Sequence, residues 1–239
     1  MNSSSNDLSL AVIIGAKGGI GAAMLAQLES EGNFAQVVGL SRSTEINVDY
    51  DNESSISKSA IHIANLCATS NLQLRLLIVA TGFLHGDQGQ PERSFINLDA
   101  EYLAQVFKIN TLGPALVMKH FLPLLPKTGR CLAGFMSARV GSMGDNALGG
   151  WYGYRAAKAA LNQLVKTASI ELTRRNKESI CVSLHPGTVA TELSKPFAKT
   201  GLNVRPASQA ASDLLAAISG LSALDTGCLV DYQGHKLPF

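Results

Sequence analysis

Leu10-Ala-Val-Ile-Ile14 runs directly into Gly15-Ala-Lys-Gly-Gly-Ile-Gly21, and the architecture of the chain can be worked out from this junction. The apolar run predicts a buried strand, and a helical pattern follows the glycines at once. A helix that begins after a strand and a glycine-rich turn can bind phosphate, because unpaired backbone N–H groups and the positive end of the helix dipole meet there. The glycines allow a tight turn and the close approach of a pyrophosphate. A plain strand–helix turn is the alternative, since glycine-rich loops are common.

Outward from this junction, short apolar runs alternate with longer amphipathic segments. Strands are predicted at Ser9–Ile14, Gln36–Leu40, Ile46–Val48, Leu74–Ala80, Cys131–Ser137, Ile180–Leu184 and Gly227–Val230. Helices are predicted at Gly19–Ser30, Ser54–Thr69, Ala100–Leu122, Gly153–Arg175 and Ser208–Ser219. This alternation favours right-handed βαβ units. We therefore predict an α/β fold with a doubly wound parallel sheet of about seven strands flanked by helices. We expect a single domain over residues 1–239, because no linker or repeat divides the chain.

Composition excludes several classes of function. The 239 residues are 46% hydrophobic and 16% charged, so the chain can build a substantial core. A net charge of +2 without a long basic run gives no case for nucleic-acid binding. No apolar stretch reaches the ~18 residues of a membrane span, and the amino terminus lacks the features of a signal peptide. Four scattered cysteines form no Cys-x-x-Cys motif, which indicates reduced thiols. We expect a cytoplasmic protein with no bound metal.

Tyr154 and Lys158 are the strongest candidates for chemistry. They are four residues apart in an alanine-rich helical segment, so their side chains are neighbours on one helix face. A free phenol has a pKa of about 10, and an adjacent cation lowers it, which would make Tyr154 a usable proton donor and acceptor. The same spacing recurs at Tyr232 and Lys236, but Gly234 lies between them, so we interpret that pair as part of a C-terminal turn. The alternative for the first pair is an ordinary helix without chemistry.

The end of the second strand distinguishes NADP from NAD. An acid at this position binds the ribose 2′-hydroxyl of NAD, whereas a basic residue accepts the 2′-phosphate of NADP. Ser41-Arg42-Ser43 carries no acid, and Arg42 offers a planar fork that suits phosphate. We predict NADP(H) in preference to NAD(H). If Arg42 is only a solvated loop cation, an NAD-linked alcohol dehydrogenase becomes the better interpretation.

Asn110 lies within the predicted helix Ala100–Leu122, four residues before Pro114. Proline has no N–H to donate to the carbonyl at i−4, so the Asn110 carbonyl is left open. A water held there could pass a proton towards Lys158. A simple kink of the helix is the alternative.

Taken in order, these motifs resemble the short-chain dehydrogenase/reductase family over nearly the whole chain. The resemblance rests on Gly15-x3-Gly19-Ile20-Gly21, Asn110, a serine near the fifth strand, Tyr154-x3-Lys158 and Pro186-Gly187. Three segments are most similar to the C-factor and sniffer-type carbonyl reductases: Ser137–Ser142, Gly149–Lys158 and His185–Thr191.

The resemblance implies a Rossmann fold that binds NAD(P)H. Tyr154 would be the general acid in reduction, and Lys158 would hold the ribose and lower the pKa of the tyrosine. Asn110 would belong to the proton relay, and a serine would hydrogen-bond the substrate carbonyl. The residues expected to bind the cofactor, from this resemblance and from the residues themselves, are Gly15, Lys17, Gly19, Ile20, Gly21, Ser41, Arg42, Asp49, Tyr154, Lys158, Pro186, Gly187, Val189 and Thr191.

Two departures from the family pattern concern the site. The usual serine lies three residues before a glycine, and counting back from Gly141 gives Ala138. Ser137 is adjacent, but neighbouring side chains of a strand point to opposite faces, so it serves only if the strand has ended or bulged there. We predict Ser137, with Ser142 on the following loop as the second candidate. The usual Asn-Asn-Ala-Gly after the fourth strand is Val-Ala-Thr-Gly at residues 79–82, which loses an asparagine that braces the central strand.

We predict an NADP(H)-dependent reduction of a ketone or aldehyde to an alcohol, with Tyr154 as proton donor. The alternative is a non-catalytic dinucleotide-binding protein with a signalling or regulatory role, of the C-factor type. A substrate loop is predicted at about 191–206, where three basic residues would favour an anionic substrate or be solvated: Lys195, Lys199 and Arg205. From the resemblance we expect a homodimer or homotetramer assembled through the two long helices, a small-molecule substrate, and no nucleic-acid or membrane partner.

Overall fold

The strand at Ser9–Ile14 is completely buried and lies inside a seven-stranded sheet. The computed structural model describes residues 8–87, 89–197 and 204–239. Its strands are β1 Ser9–Ile14, β2 Gln36–Leu40, β3 Gln73–Val79, β4 Cys131–Met136, β5 Ser179–His185, β6 Leu229–Asp231 and β7 Lys236–Leu237. Their order is β2-β1-β3-β4-β5-β6-β7, and every neighbouring pair is parallel except β6–β7. The predicted α/β fold with a doubly wound sheet is confirmed.

Helices cover both faces of this sheet. They are α1 Gly19–Glu31, α2 Glu53–Thr69, α3 Ala100–Phe107, α4 Gly113–Phe121, α5 Tyr152–Arg175 and α6 Ala207–Gly220. Alternate residues of β1 point to opposite faces, so Leu10 and Val12 pack with α2, α4 and α5, whereas Ala11 and Ile13 pack with α1 and α6. Burial on both faces explains why the central strands are almost continuously apolar. The predicted helix bounds agree within one residue, except for the predicted helix Ala100–Leu122.

The predicted strand at Ile46–Val48 is wrong. This segment meets the sheet through a single bridge between Asn47 and Ser41, just beyond the end of β2. A tight turn is the reason, because the Thr44 hydroxyl accepts from the Ser41 N–H at 2.9 Å and also lies 2.8 Å from the Ile46 carbonyl oxygen. The chain therefore returns too early to form a ladder with β2.

The seventh strand is β7, which the sequence does not predict because two residues carry no periodicity. It returns antiparallel to β6 through a turn in which the Asp231 N–H donates to the His235 carbonyl. Tyr232 and Lys236 flank this turn, and the Lys236 ammonium pairs with Asp225 at 2.7 Å. The interpretation of the second Tyr–Lys spacing as part of a C-terminal turn is confirmed.

The predicted helix Ala100–Leu122 is interrupted. A π-helical turn at Lys108–Leu112 separates α3 from α4. Pro114 accounts for the interruption, since it cannot donate to the carbonyl of Asn110 and the Gly113 N–H instead bonds to the carbonyl five residues back. The wider turn brings the Asn110 side chain fully into the interior.

Cys131 and Cys181 are buried in the core and form no disulfide, and burial raises the pKa of both thiols. Among the helices of the described ranges, none has the length and apolar character needed to cross a membrane.

Candidate active site

The loop between β1 and α1 forms a cradle with no room for a side chain at Gly15, Gly19 or Gly21. Gly15 has a positive φ of 89°, and α1 begins after Gly18, whose position carries no side-chain cap. A Cβ atom on Gly21 would lie 2.3 Å from the Gly15 carbonyl oxygen, and one on Gly19 would lie 2.7 Å from Cγ2 of Thr191. The exposed amino end of α1 thus has N–H groups for a phosphate, and Thr191 lies beside it. These residues fit a dinucleotide pyrophosphate.

The carboxyl end of β2 lies next to this cradle, because β1 and β2 are parallel neighbours. Arg42 is exposed there, and no described residue forms a hydrogen bond or ion pair with its side chain. Ser41 is buried, and its hydroxyl accepts from the Ser43 N–H at 3.2 Å. Lys17 is exposed on the glycine loop, and Asp49 lies on the turn before α2. The predicted cofactor residues of the first half of the chain therefore meet at one edge of the sheet.

Tyr154 and Lys158 lie in the first two turns of α5, and both are buried, at 8% and 1% exposed. The Lys158 Nζ atom lies 5.6 Å from the centroid of the Tyr154 ring and donates to the Met136 carbonyl at 2.8 Å. Burial lowers the pKa of Lys158 to about 7 and raises the pKa of Tyr154 above its usual value. The expected lowering of the tyrosine pKa is not found, because the ammonium bonds to a carbonyl at the end of β4 and burial dominates.

Asn110 holds the loop after β3 beside this pair. Its amide nitrogen donates to the Phe83 carbonyl at 2.7 Å, and its Oδ1 accepts from the Phe83 N–H at 3.1 Å. A Cβ on Gly82 would face Oδ1 of Asn110 at 3.7 Å and Nζ of Lys158 at 4.0 Å. Asn110 and Lys158 therefore flank the same glycine, in the place where the sequence predicts a proton relay.

The serine that the sequence predicts for the site has its hydroxyl bonded to another residue. Ser137 is buried, and its hydroxyl donates to Oδ1 of Asn162 on α5 at 2.7 Å. Ala138, one residue later, packs against the apolar cluster that contains Tyr154. Ser142 is buried as well, and its hydroxyl accepts from the Asp145 N–H at 3.1 Å. Among the described residues, neither serine hydroxyl forms a hydrogen bond with the Tyr154 side chain.

The segment after β5 carries the remaining predicted cofactor residues. Gly187 has a positive φ of 75°, which the turn after Pro186 requires, and Val189 is buried. The Arg205 guanidinium donates to the Pro186 carbonyl and to Asp213, and it lies 3.5 Å from the Tyr232 ring centroid. This arginine therefore holds the segment after β5 against α6 and against the end of β6.

Of the three basic residues predicted to face substrate or solvent, Arg205 does neither. Lys195 is exposed and pairs with Glu192 at 3.7 Å, and Lys199 lies outside the described residues.

Several residues of the site are not predicted from the sequence. The Tyr50 hydroxyl lies 2.8 Å from Oγ1 of Thr81, so Tyr50 braces the strand end where the family has an asparagine. Trp151 and Phe197 pack against the cluster around Tyr154. Asn162 could have been found, because it follows Lys158 by four residues on the same helix.

The carboxyl edge of the sheet thus holds a glycine-rich loop that fits a phosphate and, beside it, the buried pair Tyr154 and Lys158. This combination is typical of oxidoreductases that bind a dinucleotide, since open α/β sheets bind ligands at this edge. Comparison with known proteins agrees. The family model described as short chain dehydrogenase matches residues 9–201, and the chain belongs to the short-chain dehydrogenase family.

Two relatives and two solved structures show the range of the similarity. The chain is 36% identical to the C-signal of Myxococcus xanthus over 143 residues, which are 59% of this chain and 82% of that protein. It is 29% identical to the 1-hydroxy-2-glutathionyl-2-methyl-3-butene dehydrogenase of Rhodococcus sp. (strain AD45), over 92% of this chain and 95% of that protein. The carbonyl reductase Sniffer of D. melanogaster superposes with a TM-score of 0.81 at 23% identity, over 97% and 99% of the two chains. The NADPH-bound carbonyl reductase from chicken fatty liver superposes with a TM-score of 0.82 at 22% identity, over the same shares.

Proposed function

We propose that this protein is an NADP(H)-dependent reductase of ketones or aldehydes, in which Tyr154 donates the proton that completes the alcohol. The observation that carries the proposal is the state of the Tyr154 side chain. It is buried at the carboxyl edge of the sheet, and no described residue hydrogen-bonds its hydroxyl. A phenol without a protein partner is free to donate to a substrate oxygen.

The proton transfer follows from the pKa directions of the two groups. NADPH, when bound, supplies a hydride to the carbonyl carbon, and the carbonyl oxygen then takes the Tyr154 proton. Burial raises the pKa of Tyr154, so the phenol carries its proton at neutral pH. Lys158 has a pKa of about 7, and its charged form beside the ring favours the phenolate that is left after transfer. Asn110 is the proposed relay residue behind Lys158, through its backbone carbonyl.

The preference for NADP(H) is supported by Arg42, which is exposed and unpaired among the described residues at the end of β2. A guanidinium in that place can bind a 2′-phosphate in two-point fashion. Lys17 on the glycine loop offers a second cation. The chicken reductase with NADPH bound has the same fold, which adds support.

A rival function is dinucleotide binding with a signalling or regulatory role and no turnover. Two observations favour it: Ala138 stands where the family carries its serine, and a relative that is 36% identical is named a C-signal. A site that lacks a hydrogen-bond donor for the carbonyl oxygen would be a poor catalyst.

Turnover of a carbonyl panel by Tyr154→Phe separates the two functions. NADPH oxidation is followed at 340 nm, and kcat/KM is expected to fall by about 10²–10⁴, the contribution of a general acid. Tyr152→Phe is the matched control, because Tyr152 is 39% exposed on the same helix and should leave turnover unchanged. Equal turnover by Tyr154→Phe and wild type would refute the role of Tyr154.

Binding is measured in the same samples. Trp151 is the single tryptophan of the chain, so energy transfer from Trp151 to the nicotinamide reports NADPH and NADH binding without turnover. We expect tighter binding of NADPH, whereas equal affinities would support an NAD-linked dehydrogenase. Saturable NADPH binding without oxidation across the whole panel would support the regulatory function.

The proposal includes the wider context predicted from the sequence. Residues 191–206 would form the substrate loop of a single domain. The chain would assemble as a homodimer or homotetramer through α3, α4 and α5, where Leu112 and Ile170 are exposed.

A further inference from the structure

Trp151 adopts a backbone conformation that a large side chain rarely takes. Its φ is 54°, in the left-handed region, and it follows Gly149 and Gly150, which have φ values of 64° and 65°. Two glycines tolerate this conformation, but a tryptophan is disfavoured there by its Cβ atom. Such outliers cluster at functional sites, where the surroundings hold them.

The surroundings of Trp151 hold it from two sides. The Trp151 N–H donates to the Glu92 carbonyl, and the buried Glu92 carboxylate accepts from the Gly153 N–H at 3.1 Å, at the amino end of α5. The Arg155 guanidinium donates to the Gly150 carbonyl at 2.9 Å. These contacts hold the backbone at Trp151, which a flexible glycine loop would otherwise leave undetermined.

The indole lies between the proposed proton donor and the segment after β5. Its ring centroid is 6.2 Å from that of Tyr154 and 5.2 Å from that of Phe197, with interplanar angles of 75° and 67°. Phe197 in turn contacts the His85 ring at 5.5 Å. Rings from three separate parts of the chain therefore form one wall at the Tyr154 site.

The rest of this wall is apolar, and the described basic groups beside it already have hydrogen-bond partners: Arg155 donates to the carbonyls of Gly149, Gly150 and Val140, and Nε2 of His85 lies 3.0 Å from the Glu192 carbonyl oxygen. Ala138, Val140 and Leu193 pack against the cluster that contains Tyr154. Among the described basic residues of the loop after β5, Lys195 is exposed and pairs with Glu192, and Arg205 is committed to Asp213. Among the described residues, an anionic substrate would have to compete with these existing partners for a counter-ion.

We propose that Trp151 and Phe197, whose rings contact each other edge to face, form one aromatic surface, here called the clamp, against which the flat aromatic ring of an uncharged carbonyl compound packs. This inference rests on the proposed function, since it names the substrate class of the same site. Edge-to-face and offset contacts favour an aromatic ring over an aliphatic one of similar size, by about threefold to tenfold for each ring contact. The clamp holds the ring, and the carbonyl beside it is presented to Tyr154.

Three probes of similar size test the clamp: acetophenone, cyclohexyl methyl ketone and the anion benzoylformate. Each is titrated into the protein saturated with NADP⁺, which permits binding without turnover, and Trp151 fluorescence reports the Kd. We expect acetophenone to bind at least tenfold more tightly than the other two. Equal binding of the aliphatic ketone would overturn the aromatic preference, and equal binding of benzoylformate would overturn the preference for uncharged compounds.

Variants identify the residues responsible. Phe197→Leu should reduce the preference for acetophenone over the aliphatic ketone by about threefold to tenfold, while Phe34→Leu, at the opposite edge of the sheet, should retain it. Trp151→Leu is compared by kcat/KM with NADPH, because it removes the fluorophore. Phe197→Leu keeps the test decisive if Trp151→Leu does not fold, since Phe197 lies on a surface segment. A preference that survives unchanged in Phe197→Leu would overturn the clamp.

The outcomes separate the clamp from the reductase. Selective binding of acetophenone without turnover of any carbonyl would support the clamp and refute the proposed function. Turnover of all carbonyls without ring preference would support the proposed function and refute the clamp.

Discussion

At the scale of single residues, the site depends on which face of a strand end a side chain occupies. Ser137 and Ala138 are adjacent; Ala138 packs with the apolar cluster around Tyr154, and the Ser137 hydroxyl is bonded to Asn162. Successive side chains alternate at the end of an extended strand, and Ala138 is itself extended, with φ −154°. The role of Ser137 at the carbonyl oxygen stays a prediction, and it requires this hydroxyl to leave Asn162.

Ala138→Ser tests this placement directly. A hydroxyl added at residue 138 would face the Tyr154 cluster and could donate to the carbonyl oxygen, so we expect kcat for a carbonyl substrate to rise. One such donor contributes about 10²–10³ in a preorganised site, and an added one in an unadapted site should give about tenfold. The measurement is kcat with NADPH under saturating substrate.

Ser137→Ala is the competing variant in the same assay. It leaves the buried Asn162 amide without its partner and should lower stability by about 1–3 kcal/mol. A fall in kcat of about 10²–10³ for Ser137→Ala, together with no gain for Ala138→Ser, would return the role to Ser137.

At the scale of elements, the π-helical turn between α3 and α4 connects three parts of the site. Asn110 bonds to Phe83 after β3, and the Thr111 hydroxyl donates to the Ala157 carbonyl on α5 at 2.9 Å. At the start of α4, Gly113 lies against the Tyr50 ring, and a Cβ there would be 2.1 Å from Cδ2 of Tyr50. The absence of a side chain at Gly113 therefore lets Tyr50 reach Thr81.

Gly113→Ala should destabilise the protein. The added methyl group must displace the buried Tyr50 ring, and overpacking of this kind costs about 1–3 kcal/mol. Gly220→Ala, at the last residue of α6, is the control, because a Cβ there meets nothing within 4 Å and Ala favours helix. Urea denaturation, followed by circular dichroism, gives the free energy of unfolding of both variants. Equal midpoints for Gly113→Ala and Gly220→Ala would show that Tyr50 moves aside without cost.

At the scale of the whole molecule, the fold buries a lysine of the site, and this burial costs stability. Lys158 is 1% exposed, and burial lowers its pKa from the ordinary 10.5 to about 7. In the unfolded chain the same lysine keeps its proton up to about pH 10.4. Between these values the unfolded state binds one more proton than the folded state, so the free energy of unfolding increases with pH.

The free energy of unfolding should therefore rise between pH 7 and about pH 8.5, with a slope that grows from about 0.7 kcal/mol per pH unit at pH 7 to nearly 1.4 kcal/mol per pH unit at pH 8.5. This pH range ends near pH 8.5 because thiols lose their protons there in the unfolded state, whereas burial raises the pKa of Cys131 and Cys181 in the folded state. His185 does not contribute within it, since its folded pKa is about 4 and its ordinary value 6.5.

Lys158→Met should remove this slope, and Lys166→Met, an exposed lysine on the same helix, should keep it. Urea denaturation of the three proteins at several pH values provides the measurement. The same slope in Lys158→Met and wild type would show that another group carries the pH dependence.

Much of this architecture could be predicted because it follows from periodicity. The alternation of apolar runs predicts the parallel sheet, and Gly15–Gly21 predicts the tight turn before α1, where phosphate binding stays a prediction. The wrong predictions have equally local causes. Ile46–Val48 is predicted as a strand, but a tight turn at Thr44 prevents it from pairing with β2. The segment Ala100–Leu122 is predicted as one long helix, but Pro114 produces a π-helical turn within it rather than a kink.

The sequence by itself determined the sheet, the glycine loop, and the pairing of Tyr154 with Lys158, because each depends on residues within a few positions of one another. Only the tertiary structure decided that the Ser137 hydroxyl bonds to Asn162 while Ala138 packs against the cluster around Tyr154, that Arg205 bonds to Pro186 and Asp213, and that Trp151 meets Phe197. These facts depend on contacts between segments far apart in the chain, such as Glu92 with Gly153. No periodicity records such contacts, since the packing of the helices and loops around the sheet creates them.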